Sequence, residues 1–369
     1  MKSRNLDYIP RLDHLRLLAA LLVVGFHFFH YYAGGWQALP SLFWMGLITE
    51  GHTGVSLFFV LSGFIFMTIA QAGGSIRYGQ FLRNRILRIA PLFLVVFMVA
   101  ISIGRDRFEA TDILYLLFTN LGNAPTSWHF ATGPAWSISV EFTFYLVFPF
   151  LALFVRDHGP SYLVKLVLLM LVVKLAAYFA TANSTHMLYS TLVGRFDQFL
   201  VGMLVAIIHH QRQGWLHRHG GKLLLVSVVA ILVMVGAQAR WASFFAADQK
   251  QPFWIIWGTI ESALWGAVAV GYLNARFSWP TLVESVLRKG GEWSFSIYMW
   301  HALVIFTLHE LFGRIGGGTA TMFLIDGALV LACTLVLACL SYSVIERPFL
   351  QLRGRYRDSG AKARQEADA

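Results

Sequence analysis

Apolar runs of about twenty residues, separated by short segments rich in arginine and lysine, recur along this 369-residue chain. A run of that length is what an α-helix needs to cross a hydrocarbon layer of roughly 30 Å. Segments 163–182 and 223–239 have no polar face, so they do not read as amphipathic helices resting on a water-soluble core. Composition agrees: 13% of residues are charged, against about 25% in a typical soluble domain, and mean hydropathy is +0.61. The expected fold is an all-α integral membrane protein of about ten transmembrane helices, at 12–32, 54–71, 86–104, 136–154, 163–182, 189–208, 223–239, 254–273, 293–312 and 320–344. The short apolar stretch 112–121 is expected to be re-entrant or interfacial. Residues 1–350 form the transmembrane domain, and 351–369 a basic, disordered tail.

The formal net charge is +10. The basic residues lie between apolar blocks, which points to a membrane surface and away from nucleic acid. With the N-terminus inside, 20 Lys and Arg fall on the inner side, 5 on the outer side and 4 within spans. That bias places both termini in the cytoplasm; treating 112–121 as a full span would largely erase it. The start of the chain is basic and then apolar, but the bulky Phe and Tyr after Phe26 are unsuited to a cleavage site, so it reads as an uncleaved first span. Cys333 and Cys339 share one apolar block, form no disulfide or zinc pattern and read as packing residues. His209, His210, His217 and His219 lack acidic or cysteine company and read as solvated loop. No metal is expected.

Ionisable residues inside spans are costly and mark cavities or pairs. Arg16 and His27 are eleven residues apart, within about 20° of three whole turns, so they share one face at a separation of roughly 16 Å. Arg85 and Arg88 share a face at the start of the third span, and a guanidinium fork suits phosphate. Ser137, Glu141 and Tyr145 repeat every four residues at the start of the fourth span. Ser294, Tyr298 and His301 form a polar face on the ninth. Glu141 falls at a depth similar to His27, so the two are expected to pair. Arg195, Asp197 and Glu261 add polarity to the outer half; either these residues hold a polar substrate or Arg195 pairs with an acid. Lys174 has no partner evident in the sequence. The run Gly54-Val-Ser-Leu-Phe-Phe-Val-Leu-Ser-Gly63 offers small residues for close helix approach.

Taken in order, these pieces resemble the bacterial membrane-bound acyltransferase family 3, multispan O-acyltransferases of surface polysaccharides. The resemblance runs from residue 11 to about 350. It rests on Arg16 with His27, the Gly54–Gly63 run, Arg85-Ile-Leu-Arg88, Trp136-Ser-Ile-Ser-Val-Glu141, Ser294-Phe-Ser-Ile-Tyr-Met-Trp-His301 and Ile345-Glu346-Arg347-Pro348. His14 stands where the family often has Gly, and the chain is expected to be the stand-alone form without a fused esterase-like domain. The resemblance implies an acyl-coenzyme A donor, usually acetyl-CoA, on the cytoplasmic side of the bacterial inner membrane. It implies an acceptor hydroxyl on an extracytoplasmic carbohydrate, with membrane lipid and a polysaccharide biosynthesis complex as partners. In the resulting scheme Arg85 and Arg88, assisted by Arg83, hold the donor's phosphates near Arg16. His27 is the general base, Glu141 orients it, and Tyr145, Tyr298 or His301 donates to the oxyanion. His30 and Arg195 are further candidates for substrate contact. A transporter or flippase of a polysaccharide precursor is the alternative, since a polar path across the membrane looks similar in sequence.

Overall fold

The computed structural model describes residues 5–32, 43–103, 136–182, 184–243, 250–313 and 320–357. Among the described residues ten long helices carry the fold: α1 Pro10–Tyr32, α2 Thr53–Gln71, α3 Tyr78–Ile103, α4 Trp136–His158, α5 Ser161–Ala180, α6 Leu192–Gln211, α7 Gln213–Trp241, α8 Phe253–Asn274, α9 Ser294–Phe312 and α10 Ala320–Ser341. Among the described residues, nine helical stretches are long and apolar enough to cross a membrane. They are these helices without α3, the last running on to Gln351. Helix α3 is 26 residues long and wholly apolar or small beyond Arg88. The chain is thus an all-α, multi-pass membrane protein. The stretch 112–121 lies outside the described residues.

Small residues set the closest packing. A Cβ at Gly63 of α2 would strike the carbonyl oxygen of Phe199 on α6, and one at Gly202 of α6 would strike that of Val60 on α2. This reciprocal contact draws the two backbones together, which is how small residues join helices in lipid. Helix α1 packs against α2, α9 and a helix absent from the expected set, Thr281–Glu292. Arg11 donates to the carbonyls of Tyr272 (2.6 Å) and Ala275 (2.7 Å), and also to that of Phe277. It thereby caps the C-terminal end of α8, where carbonyls lack intrahelical partners.

Three boundaries differ most from expectation, and the first is the start of the third span, where α3 begins at Tyr78 instead of 86. Helix α7 starts at Gln213, one residue after α6 ends, so the stretch expected as a loop before 223 is mostly helical. Leu216 and Gly220 are buried there, and Gly220 lies against the backbone of Asn274, so packing on α8 extends the helix. At the other end α10 passes through a π turn, Tyr342–Glu346, into the short helix Arg347–Gln351. Glu346 of that turn accepts a hydrogen bond from Ser296 on α9. The expected loose tail begins instead with a docked strap. Arg77 N–H donates to the Tyr356 carbonyl (2.8 Å), Ile76 and Arg357 form an isolated antiparallel bridge, and Tyr356 is buried. Residues 358–369 lie outside the described set.

Candidate functional site

A cavity of about 80 Å³ opens between α1, α2, α3, α4 and α9. It is lined by Arg16, Arg85, Arg88, Glu141, Tyr145 and Tyr298, among others. A single water needs only about 10–15 Å³ on this measure, so the space suits a solvated or ligand-filled passage. Each of these polar residues reaches it by helical periodicity. Arg85 and Arg88 are one turn apart on α3, and Glu141 and Tyr145 one turn apart on α4. Five helices converge on one polar space within an apolar bundle.

The arginines gather at one end. Arg16 donates to Asp13 Oδ1 at 2.9 Å, one turn back on α1, while Tyr8 donates to the other carboxylate oxygen at 2.8 Å. Burial first, and then the Asp13 carboxylate, raises the Tyr8 phenol, so it stays a donor. Arg85 lies over the rings of Phe66 (4.9 Å), Phe81 (5.6 Å) and Tyr145 (5.9 Å). Such stacking holds the planar fork in place while keeping its edge available. The Nε of Arg85 is buried with no hydrogen-bond partner among the described residues. Arg83 differs: it is exposed and outside the lining. Two residues are about 200° around a helix, so Arg83 cannot share the face of Arg85.

In the same lining Glu141 accepts from Ser62 Oγ at 2.7 Å, and Tyr298 Oη shares a hydrogen bond with Ser137 Oγ at 2.7 Å. Ser62 belongs to the Gly54–Gly63 run, which the sequence reading treated only as packing. Helix periodicity turns Ser62 about 120° away from Ser56 around α2 but could not have named its partner on α4.

The expected pairing of His27 with Glu141 is corrected. His27 does not line the cavity; its Nδ1 lies 2.9 Å from the Val23 carbonyl and 3.1 Å from His301 Nε2. His301 Nδ1 in turn lies 2.6 Å from the Tyr298 carbonyl. These partners assign the tautomers. A carbonyl only accepts, so His301 carries its proton on Nδ1 and its neutral ring presents Nε2 as an acceptor. His27 then carries its proton on Nδ1, shared between Val23 and His301, and its Nε2 is the basic nitrogen. His301 therefore occupies the place proposed for Glu141, and Tyr298, one turn before it, connects this pair to the cavity wall. The sequence could not show this, because spacing fixes a residue's face on its own helix but not the helix it meets.

Two other candidates are committed elsewhere. His30 is buried, and its Nε2 bonds to the Thr49 carbonyl at 2.8 Å. Arg195 is 1% exposed. It donates to Ser56 Oγ at 2.9 Å and to the Tyr189 carbonyl, and lies 3.5 Å from Glu261. Ser56 donates to Glu261, and Lys174 donates to Asp197 at 2.8 Å. The outer-half polarity read as a possible substrate site is thus paired internally, in a buried network joining α2, α5, α6 and α8. A further buried pair, His52 Nε2 with Glu50 Oε2 at 2.9 Å, lies on the segment before and at the start of α2 and was not singled out in sequence.

Comparison with known proteins gives one family. A family profile described as "Acyltransferase domain" matches residues 9–343. The chain is 28% identical to the acyltransferase MdmB of Streptomyces mycarofaciens, covering 95% of this chain and 93% of that protein. It is 26% identical to the peptidoglycan O-acetyltransferase OatA of Listeria monocytogenes, covering 92% of this chain but 56% of that protein. It is 24% identical to the O-acetyltransferase OatA of Staphylococcus aureus, covering 92% of this chain and 57% of that protein. The chain thus spans nearly all of the first relative and little more than half of the other two. No solved structure matches the chain.

Proposed function

The chain belongs to this acyltransferase family, and from that premise we propose that it moves an acyl group, acetyl by preference, from acyl-coenzyme A to a hydroxyl of an extracytoplasmic carbohydrate or glycoconjugate. The observation that carries the reading is the shared cavity, which Arg16, Arg85 and Arg88 line together with Glu141, Tyr145 and Tyr298. The arginine end takes the donor's phosphates by forked, charge-assisted hydrogen bonds and faces the cytoplasm of a bacterial inner membrane, together with both termini. The name of the Listeria relative, a peptidoglycan O-acetyltransferase, favours a cell-wall carbohydrate as acceptor.

In this mechanism the thioester reaches inward towards Tyr298. The acceptor hydroxyl gives its proton to His27 Nε2 as its oxygen attacks the thioester carbon. Val23 and His301 hold the ring and share the positive charge it gains. Tyr298 donates to the developing oxyanion, where a preset donor contributes most. The new C–O bond forms, the C–S bond breaks, and the imidazolium returns its proton to the leaving thiolate. Glu141, bonded to Ser62, lies on the route and fixes Tyr145 or an acceptor hydroxyl rather than His27.

The test is transfer by purified protein from labelled acetyl-coenzyme A to a sugar acceptor. The wild type forms an ester, and His27→Ala, still folded by thermal unfolding, loses about 10²–10⁴-fold in rate. Wild-type protein that moves sugar across a vesicle without acylating it overturns the proposal.

A further inference from the structure

The arginine end of the cavity has one more cation nearby than the sequence motifs supply. Residues 352–357 form the docked strap, and the residue that ties it down sits beside Arg85. Asn84 Nδ2 donates to the Gly354 carbonyl at 2.7 Å, and its Oδ1 accepts from Gly354 N–H at 3.0 Å. Further along, Tyr356 lies edge-on to Phe81, and its N–H donates to Asn5 Oδ1 at 3.0 Å. On the other side, Arg353 Nε donates to the Leu350 carbonyl at 3.1 Å. Arg353 is therefore fixed from both directions, next to the helix that carries Arg85 and Arg88.

Its side chain is partly buried and interacts electrostatically with Arg88, Arg85 and Arg16. Burial, and then these three neighbours, lower it to about 9, with the Tyr342 phenol acting in the opposite sense. The carboxylates facing this group of cations are Asp13, bonded to Arg16 and Tyr8, and Glu346, bonded to Ser296 and facing Arg88. Glu141 lines the same cavity and accepts from Ser62, so each of the three carboxylates near these four guanidiniums already accepts from another side chain. Crowded like charges disfavour one another until an anion arrives.

We propose that Arg353 is a fourth phosphate-binding arginine, carried by the strap to the side of α3, where it holds phosphate groups of the acyl donor together with Arg85 and Arg88. The inference rests on the coenzyme A reading of the preceding section. It concerns a residue beyond 343, where the family match ends. A coenzyme A thioester carries a pyrophosphate and a separate monophosphate, so its anionic end is too broad for one pair of guanidinium forks. Arg353 supplies a contact from a different element.

The experiment uses the full chain in detergent or nanodiscs and three probes: coenzyme A for binding, inorganic pyrophosphate for binding, and S-acetyl-pantetheine as a donor without its nucleotide and pyrophosphate. Arg353→Gln should weaken coenzyme A binding and raise KM for acetyl-coenzyme A about tenfold, with kcat retained. Turnover of S-acetyl-pantetheine should be unchanged, and Arg353→Lys should recover part of the affinity. Asn84→Ala, which releases the strap, should weaken coenzyme A binding in the same direction. Wild-type affinity in Arg353→Gln overturns the proposal; so does an equal loss with both donors, which would mark a structural role. If the wild type binds pyrophosphate through Arg353 but not coenzyme A, the donor reading fails and the phosphate site stands. If it binds neither, both fail.

Discussion

Removing His301 gives the sharpest test of how His27 is positioned. The His27 Nδ1–H has two acceptors, the Val23 carbonyl at 2.9 Å and His301 Nε2 at 3.1 Å. In His301→Ala the first remains, so the tautomer survives. What is lost is the lateral partner that fixes the ring and shares the charge of the imidazolium. A hydrogen bond to a charged group contributes about 1.5–3 kcal/mol, and about 1.4 kcal/mol is a tenfold change in rate. The expected fall in kcat is therefore roughly 10–100-fold, less than removal of the base itself. His301→Gln, whose side-chain oxygen can accept, should recover part of it. Because His301 acts through His27, the double variant His27→Ala/His301→Ala should be no slower than His27→Ala alone. The assay is single-turnover ester formation at saturating acetyl-coenzyme A, with thermal unfolding as a check on folding. A wild-type rate in His301→Ala, or a double variant slowed by the product of the two single effects, would refute the assignment.

The buried network makes a stability prediction. Lys174 and Asp197 are 1% and 0% exposed at 2.8 Å, so Lys174→Met alone should destabilise by about 3–5 kcal/mol by stranding the carboxylate. Adding Asp197→Leu should recover most of that loss; a double variant as unstable as the single one argues against the pairing. Arg11→Ala, which uncaps α8, should destabilise by about 2–3 kcal/mol, read as a lower thermal unfolding midpoint. Coenzyme A affinity should be kept, and Arg11→Lys should restore stability only in part; loss of affinity at unchanged stability would contradict the capping role.

What the sequence made legible follows the reach of helical periodicity. Length and hydropathy fixed the long helices, and residues one turn apart, Arg85 with Arg88 and Glu141 with Tyr145, do share the cavity. Across helices that signal ends. Glu141 meets Ser62 and His27 meets His301, because the arrangement of helices in the plane of the membrane has no trace in spacing. Lys174 looked partnerless for the same reason: Asp197 is 23 residues away on the next long helix. Arg83 was drawn in by its neighbours' chemistry, though its angle around α3 already excluded it. The strap at 352–357 was read as loose because its composition is basic and polar; its order comes from backbone hydrogen bonds to Asn84, Asn5 and Arg77, whose geometry no local pattern announces.

The Lys174–Asp197 bridge also bears on biogenesis. Helices leave the ribosome in order, and α5 emerges with an ammonium group that lipid accepts only at a cost of about 2.5–3.5 kcal/mol at mid-span. Its counter-ion arrives with α6, the next long helix to be made. Insertion of the two as a neutralised hairpin spares the bilayer a lone charge. The remaining members, Arg195 and Glu261, close the circuit only when α8 follows, so this part of the bundle acquires its final packing late in synthesis.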